Sequence, residues 1–203
     1  MSFEPFIVRK GLAAALPAAN VDTDVIMPKQ FLKGIDRVGL DRGLFHGLRY
    51  DSAGASVSDF VFNDPRWRAP RFLVVGPNFG CGSSREHAVW GLMQAGVSAL
   101  IGTSFAGIFF DNCARNGLLA ICAAPEQVKA ILACAADGPI SMTIDLQAQT
   151  IVTRDVRAHF DIEPSRKQAL MSGLDAVGVT LEHCDAIAAF EAQHFAQHPW
   201  IKP

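Results

Sequence analysis

Cysteine is sparse and unpaired in this sequence. Cys81, Cys113, Cys122, Cys134 and Cys184 make five, an odd number, with no Cys-x-x-Cys spacing. That pattern excludes a disulfide framework and a self-contained zinc or iron–sulfur site. Long apolar runs are missing too. Stretches such as Phe72 to Gly76 fall far short of the roughly 20 residues that span a bilayer as a helix. No block of Lys or Arg stands out and the formal net charge is −2, so the basic face of a nucleic-acid binder is absent. The opening Met1-Ser2-Phe3-Glu4-Pro5 lacks the basic-then-apolar layout of a secretory signal. A soluble cytoplasmic protein with free thiols, and neither membrane nor nucleic acid as partner, is expected.

Half of the 203 residues are hydrophobic and 19% are charged, which supplies a buried core and excludes a disordered chain. The length suits one domain, with a helical tail at most. Residues 5–16 read as an opening strand, followed by the polar turn Asn20-Val-Asp-Thr-Asp24. Asp and Thr ahead of Pro28 predict a short helix over Pro28–Lys33, and a second helix is expected over Arg37–Leu44. The irregular stretch from Tyr50 to Arg71 reads as loop with one short strand at Val57–Phe62.

From Phe72 the pattern sharpens. Phe72–Val75, Val97–Ile101 and Leu118–Cys122 are apolar runs of a length that suits strands buried on both faces. Helices are predicted between and after them at Ser84–Ala95, Phe105–Arg115 (closed by Gly117) and Glu126–Ala135. This βαβαβα order implies parallel strands. Alternation over Ile140–Leu146 and Thr150–Asp155 predicts an antiparallel hairpin. After Pro164 the chain reads as helical, with a last helix at Ala186–Phe195.

The stretch from Gly76 to Ala88, Gly-Pro-Asn-Phe-Gly-Cys-Gly-Ser-Ser-Arg-Glu-His-Ala, runs from a buried strand into a helix. Gly80 and Gly82 remove Cβ atoms where backbone amides can turn together toward a ligand. The helix N-terminus favours an anion there, and Arg85 suits a two-pronged grip on a carboxylate. Three familiar motifs fail: Arg85 stands where GxGxxG needs its third glycine, no Gly-Lys-Ser/Thr occurs, and neither serine is framed as GxSxG. A plainer reading stays open beside the anion site. Ser83-x-x-Glu86 has the spacing of a capping box, His87 reads as a packed or capping residue, and Cys81 as a small buried one.

At this loop the sequence resembles a known family. Phe79 to Ala88 looks like the FGCGSSREHA signature of aconitase-type small subunits and swivel domains. Asn20-Val-Asp-Thr-Asp-Val-Ile-Met-Pro-Lys-Gln-Phe-Leu32 is similar to the start of the isopropylmalate dehydratase small-subunit family. So are Ser104–Asn112 with Asn116–Leu119, and Gly173–Leu181 with Asp185–Phe190. The resemblance covers essentially the whole chain. It implies an α/β fold, the swivelling β/β/α domain of the aconitase type, with a mixed sheet, a parallel βαβ core, a β-hairpin and C-terminal helices. Residues 1–203 would form a single swivel domain with a helical tail from about 164.

The resemblance also implies interconversion of 2-isopropylmalate and 3-isopropylmalate through isopropylmaleate. The cofactor would be a [4Fe-4S] cluster held by a large-subunit partner, with no metal bound by this chain and no activity without that partner. Ser83 corresponds to the catalytic base and Arg85 to the residue that holds charge. Ser84, Asp24 and Thr23 correspond to substrate-binding positions. The family's cation on the following loop falls on Lys29, Lys33 or Arg37, of which Lys33 is taken. Gly107 stands where the superfamily often has a basic residue and carries no site role. Homoaconitate, citraconate or dimethylmaleate hydration would use the same apparatus, and a non-catalytic anion-binding module would share the loop.

Overall fold

The computed structural model describes residues 3–33, 37–67, 69–136 and 138–202. Its centre is a seven-stranded sheet of mixed direction. In chain order the elements are β1 (Val8–Leu16), α1 (Thr23–Ile26), α2 (His46–Arg49), β2 (Phe72–Val75), α3 (Glu86–Gln94), β3 (Ala99–Gly102) and α4 (Gly107–Asn116). Then follow β4 (Leu119–Cys122), α5 (Pro125–Cys134), β5 (Ile140–Asp145), β6 (Thr150–Val152), β7 (Arg157–His159), α6 (Pro164–Ser172), α7 (Ala176–Leu181) and α8 (Cys184–Gln197). The strands lie in the order β4-β3-β2-β1-β5-β6-β7. β1 to β4 pair in parallel, and β5 to β7 join antiparallel on the other side of β1.

Alternation along the strands divides the core in two. Leu73, Val75 and Leu100 pack on one face with Ala88, Val89 and Leu92 of α3 and Phe109 and Cys113 of α4. Phe72, Val74, Ala99 and Ile101 pack on the other with Val128 and Ile131 of α5 and Leu170 of α6. All four residues of β2 are fully buried, so its continuous apolar run serves both layers. At about 1.5–3 kcal/mol per buried large side chain, this strand is a major contributor to stability. The helix ends follow local chemistry. Gly117 in the left-handed region closes α4, and Glu163 caps α6 by accepting from the Ser165 and Arg166 amides, with Pro164 in the first turn.

Four expectations need correction. The helix expected at Pro28–Lys33 starts earlier, as α1, because the Asp22 carboxylate accepts from the Val25 amide. Pro28 is extended, and only a 3₁₀ turn at Lys29–Leu32 follows it. The helix expected at Arg37–Leu44 is a 3₁₀ turn at Leu40–Arg42, since Gly39 is left-handed at its start; residues 34–36 lie outside the described residues. No strand forms at Val57–Phe62. Phe60 and Phe62 instead pack on Phe45, at 5.7 and 5.4 Å between ring centroids, and Asn63 bonds the Arg49 and Val57 carbonyls. The predicted hairpin gains a third strand, β7, which pairs with β6. No described helix is long and apolar enough to cross a membrane.

Candidate active site

The carboxyl ends of parallel strands in an open α/β sheet form the crevice where ligands bind. Here the chain after β1, the loop after β2 and the chain after β3 converge on that edge. Single parallel bridges prolong the sheet beyond its strands, Asp22 with Cys81 and Phe79 with Phe105. The Gly80 amide donates to the Val21 carbonyl at 2.8 Å and the Thr23 amide to the Cys81 carbonyl at 2.9 Å. On that same side Asn78 Nδ2 donates to Asn20 Oδ1 at 2.8 Å, and on the β3 side the Asn78 amide donates to Ser104 Oγ at 2.9 Å. The loop is therefore held from both flanks.

Its backbone needs its glycines. Gly80 and Gly82 have φ of 79° and 90°, a region costly for residues with a Cβ. At Gly80 space forbids a side chain as well, because a Cβ would run into the Phe109 ring. The next residues deliver the polar groups. Ser83 and Ser84 are exposed on the surface of this edge, and Ser84's hydroxyl makes no hydrogen bond within the described chain.

The capping box is not formed. α3 begins at Glu86, two residues later than expected, with Arg85 extended at its N-cap and no side-chain cap. Glu86 does not reach back; its carboxylate accepts from Asn116 Nδ2 at 2.9 Å, and Asn116 Oδ1 accepts from Trp90 Nε1 at 2.8 Å. Ser83 Oγ accepts instead from Arg85 Nη2 at 3.3 Å. The loop's serine faces a guanidinium rather than the helix backbone.

Arg85 is held on its far side by Asp24. Nη1 donates to Asp24 Oδ1, and Nη2 to Oδ2 at 3.2 Å. The Arg85 side chain is 13% exposed and that of Asp24 43%. The hydrogen bond from Arg85 holds the Asp24 carboxyl below the ordinary range, helped by the charge of Lys29. Nε and the second Nη1 hydrogen have no protein acceptor among the described residues, so the fork retains donors for a ligand.

Thr23 sits elsewhere than a ligand-facing position. It is 1% exposed; its hydroxyl donates to the Ser83 carbonyl at 2.9 Å and accepts from the Ser83 amide at 3.2 Å. The three cations differ as well. Lys33 is exposed with no hydrogen bond or ion pair among the described residues, Arg37 lies 4.0 Å over the Trp90 ring, and Lys29 is the one whose charge reaches Asp24. His87 packs against Trp90, at 4.8 Å between rings. Sequence reasoning passed over Asn20, Asn78 and Ser104 as clamps. The signal was residue type, since Asn20 and Asn78 both take the left-handed conformation that Asn tolerates better than most.

The cysteines do not fit a metal cluster. Cys113 is buried in the core, where burial pushes its thiol well up, and Cys122 and Cys184 are exposed. Among the described residues no three of His, Cys, Asp and Glu are grouped to hold a metal ion.

Comparisons with known proteins give the family. Residues 3–126 match the family model of the aconitase C-terminal domain, and residues 177–203 that of the C-terminal domain of the 3-isopropylmalate dehydratase small subunit. The chain is similar to the 3-isopropylmalate dehydratase small subunit 1 of Mannheimia succiniciproducens, 54% identical over 98% of this chain and 99% of that one. It is 50% identical to the small subunit of Methylorubrum extorquens over 97% and 99%. A crystal structure of 3-isopropylmalate dehydratase from Methanocaldococcus jannaschii superposes with a TM-score of 0.67 at 28% identity, covering 91% of this chain and 99% of that one.

Proposed function

Because this chain belongs to the family of 3-isopropylmalate dehydratase small subunits, we propose that its loop after β2 supplies the base and the carboxylate grip for interconverting 2- and 3-isopropylmalate through isopropylmaleate, a step of leucine biosynthesis. The observation that carries this reading is the hydrogen bond from Arg85 Nη2 to Ser83 Oγ at 3.3 Å, on an exposed loop at the carboxyl edge of the parallel strands.

On this reading Ser83 Oγ takes the proton from one carbon while the hydroxyl leaves its neighbour to form the double bond. After the intermediate has turned, the proton returns to that neighbour and hydroxyl from water adds to the first carbon. Arg85 holds a substrate carboxylate with its free donors and steadies the negative charge that builds in the transition state. Ser84's free hydroxyl adds a donor to the same carboxylate. Asp24 holds the guanidinium from behind and Thr23 fixes the Ser83 backbone, so both position groups rather than touch substrate. Lys29, whose charge reaches Asp24, stands beside Lys33 as a candidate cation of the site.

Magnitudes show why a partner is needed. A helix N-terminus contributes at most about 2 kcal/mol, and one pKa unit corresponds to about 1.36 kcal/mol. A helix start can therefore lower a serine hydroxyl by at most roughly 1.5 pKa units, far too little to make an alkoxide at neutral pH. Arg85 and the exclusion of water supply more, but Ser83 and Ser84 are open to solvent here. A large-subunit partner that closes over this edge would exclude that water. A [4Fe-4S] cluster in that partner would supply a Lewis acid for the departing hydroxyl. Residues 1–203 would act as one swivelling unit in that assembly.

The test is reconstitution. The purified chain alone should not turn over isopropylmalate, and mixing it with an iron-loaded large subunit should restore turnover. Robust activity of the isolated, iron-free chain would overturn the reading. A panel of branched and linear malates given to the two-chain enzyme fixes the substrate.

A further inference from the structure

At the opposite edge of the sheet, by the amino ends of β2 and β3, lies a cavity of about 430 Å³ lined by Arg9, Arg71, Glu4, Ser98, Phe3 and Met93 among others. Nothing in the proposed chemistry uses it. Its volume falls within the roughly 300–1,000 Å³ of small-molecule sites, and its charge is uneven. Two guanidiniums face one carboxylate.

The arginines are placed with some care. Gly11 lies inside β1, where glycine ordinarily weakens a strand and marks a close approach by another group. That group is Arg71: its Cβ lies 2.6 Å and its Cδ 3.0 Å from where a Gly11 Cβ would stand. The stem of Arg71 thus crosses β1 over Gly11, two residues from Arg9. Arg9 is only 11% exposed at its side chain; its Nη2 donates to the Glu4 and Pro5 carbonyls and pairs with the Glu4 carboxylate at 3.2 Å. Its Nε and Nη1 have no protein acceptor among the described residues. The Arg71 guanidinium has none among them at all.

Glu4 supplies one negative charge against two positive ones. Its side chain is 74% exposed, and exposed ion pairs are weak. Burial works most against the Arg9 cation, the Glu4 carboxylate favours it, and the neighbouring Arg71 charge opposes it. Packing two like charges into one cavity is unfavourable unless an anion completes the group, and planar guanidiniums bind carboxylate and phosphate oxygens two at a time.

We propose that this cavity is a second ligand site, in which Arg9 and Arg71 together bind a small dianion, a phosphate or a short dicarboxylate. It is independent of the Ser83 loop, at the other end of the parallel strands. Inorganic phosphate and malonate are titrated calorimetrically into the full-length chain, with chloride holding ionic strength constant. The expected result is saturable binding that persists in Arg85→Met and weakens about tenfold or more in Arg71→Met, the loss of at least one charge-assisted contact. Gly11→Ala, which keeps every charge but displaces the Arg71 stem, should weaken it as well. If Arg71→Met does not fold, amide shifts of the wild-type chain decide: changes at Ser98 and Gly117 support the site, and changes confined to Gly80–Ser84 overturn it. No saturable binding above chloride, or binding lost in Arg85→Met and kept in Arg71→Met, also overturns it. The phosphate and malonate arms show which dianion fits.

Discussion

Asp24 and Arg85, 61 residues apart in the chain, grip each other across the carboxyl edge of the sheet, and the same guanidinium reaches Ser83 Oγ. One carboxylate thus sets where the guanidinium stands relative to Ser83 Oγ. Asp24→Asn keeps the shape and removes the charge that holds Arg85. Turnover of the reconstituted enzyme should fall on the order of tenfold to a hundredfold, as small misplacements do, with KM unchanged or lower because a competing anion is gone. A raised KM at unchanged kcat would make Asp24 a substrate contact instead.

Ser83→Ala removes the only atom assigned to proton transfer while leaving the backbone bonds to Thr23 intact. Turnover should drop by about 10²–10⁴-fold, the range of a general base, with the two-chain complex still formed in size-exclusion chromatography. Unchanged turnover would leave the loop a binding role only.

Thr23→Val replaces a buried hydroxyl that satisfies both backbone polar groups of Ser83. The loss should cost about 1–3 kcal/mol of stability, read as a lower denaturation midpoint, and kcat should fall as the Ser83 backbone loosens. Thr23→Ser should recover both.

Gly80→Ala and Gly82→Ala share a backbone penalty of about 1–2 kcal/mol but differ in space. Phe109 blocks a Cβ at Gly80, whereas at Gly82 the nearest atom, Asp22 Cβ, stands 3.3 Å away. Gly80→Ala should therefore be the more destabilising, by a further 1–3 kcal/mol or so, in urea unfolding of the two variants.

Acid should weaken the fold through specific carboxylates. Hydrogen bonds from Arg85, Arg66 and Ser165 hold Asp24, Asp64 and Glu163 below their ordinary values. A carboxyl lowered on folding contributes stability that is full above the unfolded value, about 4, and is lost as pH falls through the folded one. These groups should leave stability level between pH 5 and 8 and reduce it below about 4. The gap between wild type and Asp64→Asn in urea midpoints should close in acid. A gap that widens there would contradict the assignment.

Much of this was legible in the residues. Phe72–Val75 had to be a strand buried on both faces, and Gly117 had to end a helix, because each signal is local. The region from Asn20 to Trp67 is less legible. Its helices are single turns set by a side-chain cap at Asp22 and by left-handed Gly39 and Phe45, and the apparent strand at Val57–Phe62 is an aromatic cluster closed by Phe45. Periodicity cannot tell a short alternating run that pairs from one that folds back onto a distant ring. The capping box failed for a related reason. Its spacing was right, but Asn116 claimed Glu86 and Arg85 claimed Ser83.

The sequence by itself determined the parallel core and the chemistry carried by the loop after β2, since runs of apolar residues and the order of Gly, Ser and Arg act over a few positions. The tertiary structure alone decided what those groups face. Thr23 and Asp24 meet Ser83 and Arg85 from some 60 residues away, and the Arg71 stem crosses Gly11 only because β1 and β2 lie side by side. Contacts made by folding distant segments together leave no periodic trace, because each depends on a register and a direction that no local stretch encodes.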